Sequence, residues 1–176
     1  MTSEYINTYT IDKVGVIQLF RPNVANALNR LMVKEIVEQL EHFDHNSSVR
    51  VILLKGNEKA FAAGADIGEM LDDSPLSLEM SNPFADWDRI RLIKKPIIAA
   101  VEGLALGGGF ELALHCDLVV AGENATFGFP EVSLGVMLRS RWNPTFNKSS
   151  GHSKSIGMDM AWKNDPCTRS TRSRCH

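Results

Sequence analysis

The amino-acid sequence predicts an α/β fold, built as a loose spiral of β-β-α turns, over residues 1–137. Short apolar runs alternate there with segments of helical periodicity, which is the pattern of an α/β protein. Glycine or proline punctuates many of these runs, and three glycines in a row separate one strand from the next helix. No exact repeat occurs, and periodicity alone leaves a doubly wound sheet open as the alternative.

Apolar runs of four to seven residues predict four strands, and periodic apolar residues predict four helices. Arg21-Pro22 closes the first strand, and Asn29 is the expected N-cap of the first helix. A Lys-Gly pair ends the second strand, and Pro96 precedes the third. The expected strands are 14–20, 49–54, 97–101 and 118–121. The expected helices are 30–43, 67–71, 83–93 and 110–116. Turns are expected over 61–65 and 103–109, and the segment 126–130 leads into Glu131.

Composition excludes several functional classes. The formal net charge of −2 favours neither nucleic acid nor a membrane surface as partner. No run of about 18 apolar residues predicts a transmembrane helix, and residues 1–12 are polar, so we expect a cytoplasmic protein. The three cysteines form neither an even disulfide framework nor a metal-ligand pattern. His115 beside Cys116 is interpreted as an incidental neighbour of a buried cysteine, because adjacent helical residues point in different directions.

Charge is distributed unevenly along the chain. Residues 1–137 carry 11 basic and 19 acidic side chains, a net of −8, whereas residues 138–176 carry 8 basic and 2 acidic ones, a net of +6. The second segment contains no glutamate and two of the three cysteines. We therefore predict a folded core over 1–137 and a separate tail over 138–176.

The glycine-rich segment Ala105-Leu-Gly-Gly-Gly-Phe-Glu111 is the first candidate for chemistry. Glycines allow backbone N–H groups to approach a ligand closely, and a helix N-terminus adds unpaired donors. Such a site suits an anion, either a phosphate or an oxygen that becomes negative during a reaction. The segment lacks the pattern of a phosphate-binding P-loop and that of a dinucleotide-binding loop. A tight strand–helix turn without a ligand is the alternative.

Two carboxylates accompany this segment. Glu111 falls in the first turn of the following helix, and Glu131 follows Pro130. Brought together, they could act as general base and general acid. Taken singly, each has a plainer explanation: Glu111 would favour the helix dipole, and Glu131 would be solvated.

Six motifs in register over residues 14–137 resemble the enoyl-CoA hydratase/isomerase (crotonase) family. Each is moderately specific, and their shared order and spacing are highly specific. They are Asn26-Ala-Leu-Asn29 after Arg21-Pro22, Ala60-Phe-Ala-Ala-Gly-Ala65-Asp66-Ile67, Lys95-Pro96-Ile-Ile-Ala-Ala-Val101, Ala105-Leu-Gly-Gly-Gly-Phe-Glu111, Cys116-Asp117 and Phe127-Gly-Phe-Pro-Glu131-Val-Ser-Leu-Gly135.

The resemblance implies roles for these residues in a crotonase-like spiral that is truncated at its C-terminus. The backbone N–H groups of Ala65 and Gly108 would form an oxyanion hole for a thioester carbonyl. Glu111 would deprotonate a water that adds at Cβ, and Glu131 would protonate Cα. Ala63, Ala65, Asp66, Ile67, Gly68 and Gly108 would bind the CoA substrate.

The implied function is an enoyl-CoA hydratase that adds water across the 2,3 double bond of an acyl-CoA thioester. Alternatives are an isomerase or thioester hydrolase on the same oxyanion hole, and an inactive pseudogene product. No metal or redox cofactor is implied, because CoA arrives with the substrate. The complete parent protein is expected to form a homotrimer or hexamer.

The resemblance stops after Met137, where the family continues Pro-Gly-Ala-Gly-Gly-Thr-Gln-Arg-Leu. One allowed set of codons for residues 139–148 encodes Gly-Ala-Gly-Gly-Thr-Gln-Arg-Leu-Thr-Lys when it is read from its second base. We therefore hypothesise that residues 138–176 are a frameshift product; a basic arm that binds nucleic acid is the alternative. Loss of the family's C-terminal helices would leave apolar surface exposed, so we expect this chain to be inactive or poorly folded.

Overall fold

The computed structural model describes residues 3–71 and 85–130. In chain order, its elements are β1 (Ile6–Ile11), β2 (Val14–Leu19), a 3-10 turn (Pro22–Val24), α1 (Arg30–His45), β3 (Val51–Lys55), β4 (Ala60–Ala62), α2 (Ile67–Leu71), α3 (Ala85–Ile90), β5 (Ile97–Val101), β6 (Leu104–Leu106), α4 (Gly108–Leu114), β7 (Leu118–Ala121) and β8 (Thr126–Gly128).

The described strands form two sheets. The larger has the order β1-β2-β3-β5-β7, and the smaller has the order β4-β6-β8. Only the β1–β2 hairpin is antiparallel; the other described pairs are parallel. From β3 onward, each strand of the larger sheet is followed by one of the smaller sheet, and helices follow β4 and β6. The predicted spiral of β-β-α turns is therefore confirmed, and the doubly wound alternative is wrong.

Helix α1 supplies one wall of the core. Its buried residues recur with helical spacing and pack with the inner faces of β2, β3 and β5. The Asn29 side chain accepts from Met32 N at 2.8 Å, as expected of an N-cap. At the other end, Lys95 Nζ donates to the carbonyls of Phe43 and Asn46, each at 2.6 Å. Burial of each large apolar side chain contributes about 1.5–3 kcal/mol. The buried side of α1 consists of Met32, Val33, Ile36, Val37, Leu40 and Phe43.

Short or polar strands are where the sequence prediction fails. Strand β1 has no apolar run and is largely exposed, and β4, β6 and β8 each have three residues. Tertiary pairing stabilises them, since local propensity in so few residues is weak. The predicted turn over 61–65 begins inside β4, so that prediction is wrong at its start. The predicted turn over 103–109 is also wrong in part, because it contains β6 and the start of α4, which begins at Gly108, two residues before the predicted start.

Candidate functional site

A buried asparagine organises the loop between β2 and α1. Asn26 is fully buried and has a φ of 55°, a left-handed conformation that asparagine tolerates better than most residues. Its Oδ1 accepts from Arg21 N at 2.8 Å, and its Nδ2 donates to Ala60 O at 2.9 Å and Phe61 O at 3.2 Å. The Asn26 side chain thus joins two parts of the loop to each other and joins the loop to strand β4.

The same loop orients the main chain at Ala65. Leu28 N donates to Gly64 O at 2.7 Å, and Asp66 N donates to Leu28 O at 3.0 Å. These two bonds make a parallel bridge between Leu28 and Ala65. In extended backbone, successive N–H groups point in opposite directions, so the Ala65 N–H points away from Leu28. Gly64 permits this path, because its φ of 104° is one that residues with side chains rarely adopt.

Gly108 lies beside the amide of Ala65. A Cβ atom built on Gly108 would be 3.7 Å from Ala65 N, and one built on Gly64 would be 3.7 Å from Gly108 N. As the first residue of α4, Gly108 has no intrahelical acceptor for its N–H. In the described part of the chain, neither the Ala65 nor the Gly108 amide donates to another main-chain carbonyl outside regular elements. Two available N–H donors therefore come from residues that are close in space.

Neither conformation nor packing requires a glycine at position 108. Its φ is outside the left-handed range, and an added Cβ would meet no atom closer than 3.7 Å. At the next position the opposite holds, because a Cβ on Gly109 would lie 2.1 Å from Ala62 O. The absence of a side chain at Gly108 leaves open the space beside the two amides.

Of the two candidate carboxylates, the structure describes one. Glu111 is 7% exposed in the first turn of α4. It is three residues after Gly108, so the two share a helix face. Glu131 lies outside the described residues, as does the tail over 138–176. The predicted pairing of the two carboxylates therefore stays a prediction.

An aromatic cluster holds the segment that precedes Glu131. The Phe110 ring is 5.0 Å from that of Phe127 and 4.9 Å from that of Phe129, measured between centroids. Gly107 N also donates to Gly128 O at 2.8 Å. The chain up to Phe129 is thus packed against the start of α4, on which Glu111 lies.

Apart from Gly108, the residues expected to bind CoA form one partly exposed segment around Ala65. Ala63 N is bonded to Ala25 O at 3.0 Å, and Gly68 N donates to Asp66 Oδ1 at 3.1 Å. Ile67 is an apolar side chain that is 62% exposed. A ligand could therefore reach this segment from solvent.

Sequence reasoning missed the residues that support this segment. The sequence assigned no role to Arg21 and Asn26 beyond their place in a motif. In the structure, Arg21 Nη2 lies 2.9 Å from Asp66 Oδ2, and Asn26 anchors the loop. The available signal was an asparagine in the loop that follows Arg21-Pro22, because asparagine side chains commonly bond to backbone.

His115 and Cys116 have separate surroundings. His115 Nδ1 lies 2.8 Å from Glu111 O, and its ring is 5.6 Å from that of Trp87. Burial, and secondarily the charge of Asp117, raises the pKa of the Cys116 thiol to about 12. Within residues 3–71 and 85–130, no cluster of three metal-ligating side chains occurs. No described helix is long and apolar enough to cross a membrane.

The spiral of two sheets is the crotonase fold, which the chain shares with solved enoyl-CoA hydratase structures. The family model described as enoyl-CoA hydratase/isomerase matches residues 10–164. The chain belongs to the enoyl-CoA hydratase/isomerase family.

Individual relatives agree with this assignment. The chain is 42% identical over 152 residues to a mitochondrial enoyl-CoA hydratase of Pongo abelii, which covers 86% of this chain and 52% of the relative. It is 41% identical over 157 residues to 2,3-dehydroadipyl-CoA hydratase of Escherichia coli, covering 89% and 60%. A crystal structure of an enoyl-CoA hydratase subunit from Geobacillus kaustophilus matches with a TM-score of 0.76 and 59% identity, covering 78% of this chain and 54% of that one.

The chain is shorter than these relatives. It spans between 52% and 67% of the curated relatives it matches, and the family match includes residues on both sides of Met137.

Proposed function

We propose that this chain derives from a hydro-lyase that adds water across the 2,3 double bond of an acyl-CoA thioester. The observation that carries the proposal is the pair of amides at Ala65 and Gly108, which are close in space. Packing does not require a glycine at position 108, so its missing side chain leaves room for a ligand beside the two amides. Two N–H donors on one thioester oxygen stabilise the negative charge that forms there during addition, by about 3 kcal/mol for each donor.

In the proposed reaction, Glu111 removes a proton from water as the water oxygen bonds to C3 of the enoyl group. The electrons of the C2=C3 bond move onto the thioester oxygen, which the amides of Ala65 and Gly108 hold as an enolate. When the enolate collapses, C2 takes a proton from Glu131. The product is a 3-hydroxyacyl-CoA, and exchange with solvent removes the proton from Glu111 and returns one to Glu131.

The position of Glu111 supports its role, because this largely buried carboxylate lies three residues after Gly108 on the same face of α4. The test is hydration of crotonyl-CoA by the protein whose reading frame is restored after Met137. The reaction is monitored by the loss of the ultraviolet absorbance of the conjugated double bond. Glu111→Gln should lower kcat by about 10²–10⁴ while leaving CoA-thioester affinity within a few-fold. Turnover by Glu111→Gln equal to that of the parent would rule out this assignment.

A second candidate is an inactive product of a gene whose reading frame is shifted at codon 138. The change of net charge from −8 before residue 138 to +6 after it favours this candidate. Because the family match extends past Met137 to residue 164, only the nucleotide sequence distinguishes a shifted frame from a divergent tail. An intact frame across codon 138 with unrelated codons would contradict the frameshift hypothesis.

Three further properties stay predictions. No metal or redox cofactor should be needed, so hydration should withstand chelators. The frame-restored protein should form a trimer or hexamer, which size-exclusion chromatography with light scattering measures. Its cytoplasmic location is checked by fractionation of the source cells.

A further inference from the structure

The side chain of Arg21 contacts both strands of the bridge that orients Ala65. Its Nη1 donates to Ala27 O at 2.5 Å, and its Nη2 lies 2.9 Å from Asp66 Oδ2. Its guanidinium also lies over the Tyr5 ring, 5.2 Å from the centroid. The Arg21 and Asp66 side chains are only 17% and 22% exposed, so solvent screens this pair less than it screens a surface pair.

These contacts flank the Leu28–Ala65 bridge on both sides. Ala27 directly precedes Leu28, and Asp66 directly follows Ala65. A planar guanidinium holds two acceptors in a fixed relative position, which an ammonium group does not. Arg21 therefore limits how far the two strands can separate, and with them the direction of the Ala65 N–H.

The same contact changes the charge beside the proposed oxyanion position. Asp66 is the residue next to Ala65, and its carboxylate would repel an enolate oxygen or a CoA phosphate nearby. Its Oδ2 is paired with Arg21, and its Oδ1 accepts from Gly68 N at 3.1 Å. Pairing with a fixed positive charge offsets most of that repulsion.

We infer that Arg21 is a positioning residue of the oxyanion site: it fixes the Ala65 amide through Ala27 and Asp66, and it neutralises the Asp66 carboxylate. This inference rests on the proposed function. Arg21 touches no reacting atom in this scheme, so its effect is on enolate stabilisation and not on proton transfer.

The test uses acetoacetyl-CoA, whose enolate has its own ultraviolet absorbance. Titrating the bound compound with pH gives the pKa of the enolate on the protein whose reading frame is restored after Met137, and this protein is the parent for the variants below. Arg21→Gln should raise that pKa and weaken enolate binding about tenfold, because it leaves Asp66 uncompensated. The double variant Arg21→Gln with Asp66→Asn should recover most of the loss, and Arg21→Lys should recover part of it.

A purely structural role for Arg21 would not produce recovery in the double variant. The inference is overturned if Arg21→Gln matches the parent, or if removing the Asp66 charge restores nothing. Lys34→Gln is the matched control, since it removes an equal charge from an exposed pair with Glu38 on α1. It should leave the enolate pKa unchanged.

Failure of the proposed function gives a different result. In that case the frame-restored protein without substitutions itself shows no enolate signal with acetoacetyl-CoA. The positioning role is then measured without ligand, by hydrogen exchange at the amides of Leu28 and Asp66. Arg21→Gln should speed exchange at these two amides and leave β2 and β3 unaffected; equal exchange in parent and variant would contradict it.

Discussion

Gly108 and Gly109 are neighbours with different requirements. A methyl group at Gly109 would overlap the Ala62 carbonyl at 2.1 Å, whereas one at Gly108 would sit 3.7 Å from Ala65 N in ordinary van der Waals contact. The first contact joins α4 to β4, and the second faces the space where a thioester oxygen would bind. Substitution by alanine therefore separates packing from ligand binding at two adjacent positions.

We expect Gly108→Ala to leave the free energy of unfolding within about 1 kcal/mol of the parent and to weaken enolate binding by about 10²–10³. Gly109→Ala should lower the free energy of unfolding by about 1–3 kcal/mol, because backbone must move. Urea denaturation and the acetoacetyl-CoA titration measure the two effects. Unchanged ligand binding by Gly108→Ala would remove the main support for the oxyanion site.

Cys116 should be an unreactive thiol in the folded protein. Burial raises its pKa to about 12 from the ordinary 9.0, and the thiolate is the nucleophile. The native state retains this proton above pH 9 while the unfolded chain loses it, so stability should fall as pH rises through 9 towards 12. In a variant with Cys167 and Cys175 replaced by serine, reaction with a disulfide reagent at pH 8 should need denaturant. Fast labelling of the native protein would show that Cys116 is accessible.

At the scale of elements, the loop before α1 depends on one side chain. Asn26 bonds to Arg21, Ala60 and Phe61 while fully buried. Because the small sheet begins at β4, this loop couples the first helix to the spiral turn that carries Ala65. Loss of the coupling should affect stability and the site together.

Asn26→Ala should lower the free energy of unfolding by about 1–3 kcal/mol, because it leaves buried polar groups without partners. Asn23→Ala, in the exposed 3-10 turn nearby, is the control and should change it by less than about 0.5 kcal/mol. Chemical denaturation followed by circular dichroism compares the two. Equal effects at both positions would show that the buried bonds contribute nothing specific.

The local patterns of the elements explain which of them sequence could predict. Strand β5 (Ile97–Val101) and α2 (Ile67–Leu71) have the predicted bounds, and Asn29 caps α1 as expected. In contrast, β4 has the residues Ala-Phe-Ala, whose strand conformation depends on pairing with β6. The conformation of such short segments is set by strands that are distant in sequence.

At the scale of the whole molecule, exposed apolar surface is the feature with consequences for solution behaviour. The chain spans 62% of the length of one curated relative and 52% of another. Among the described residues, β7 is the last strand of the larger sheet, and its apolar side chains Leu118 and Val120 are each 54% exposed. Exposed apolar surface of this kind favours association.

We expect the chain as written to hydrate crotonyl-CoA at least about 100-fold more slowly than a version with the reading frame restored after Met137, since small displacements of catalytic groups cost that much. It should also bind a hydrophobic dye more strongly. Stopped-flow hydration assays and dye fluorescence compare the two proteins, with Glu111→Gln in each as the inactive control. Equal turnover would contradict the expectation that the tail impairs function.

The sequence by itself determined the fold class, the family and the identity of the candidate residues, because motif order and local periodicity are properties of the linear chain. It did not determine how Ala65 and Gly108 meet, or that Arg21 reaches Asp66 across 45 residues. Those contacts arise only when β4 and β6 pair in the small sheet and the loop before α1 bonds to β4. The physical reason is that local preferences act over a few residues, whereas the direction of an amide is set by distant groups that packing brings beside it.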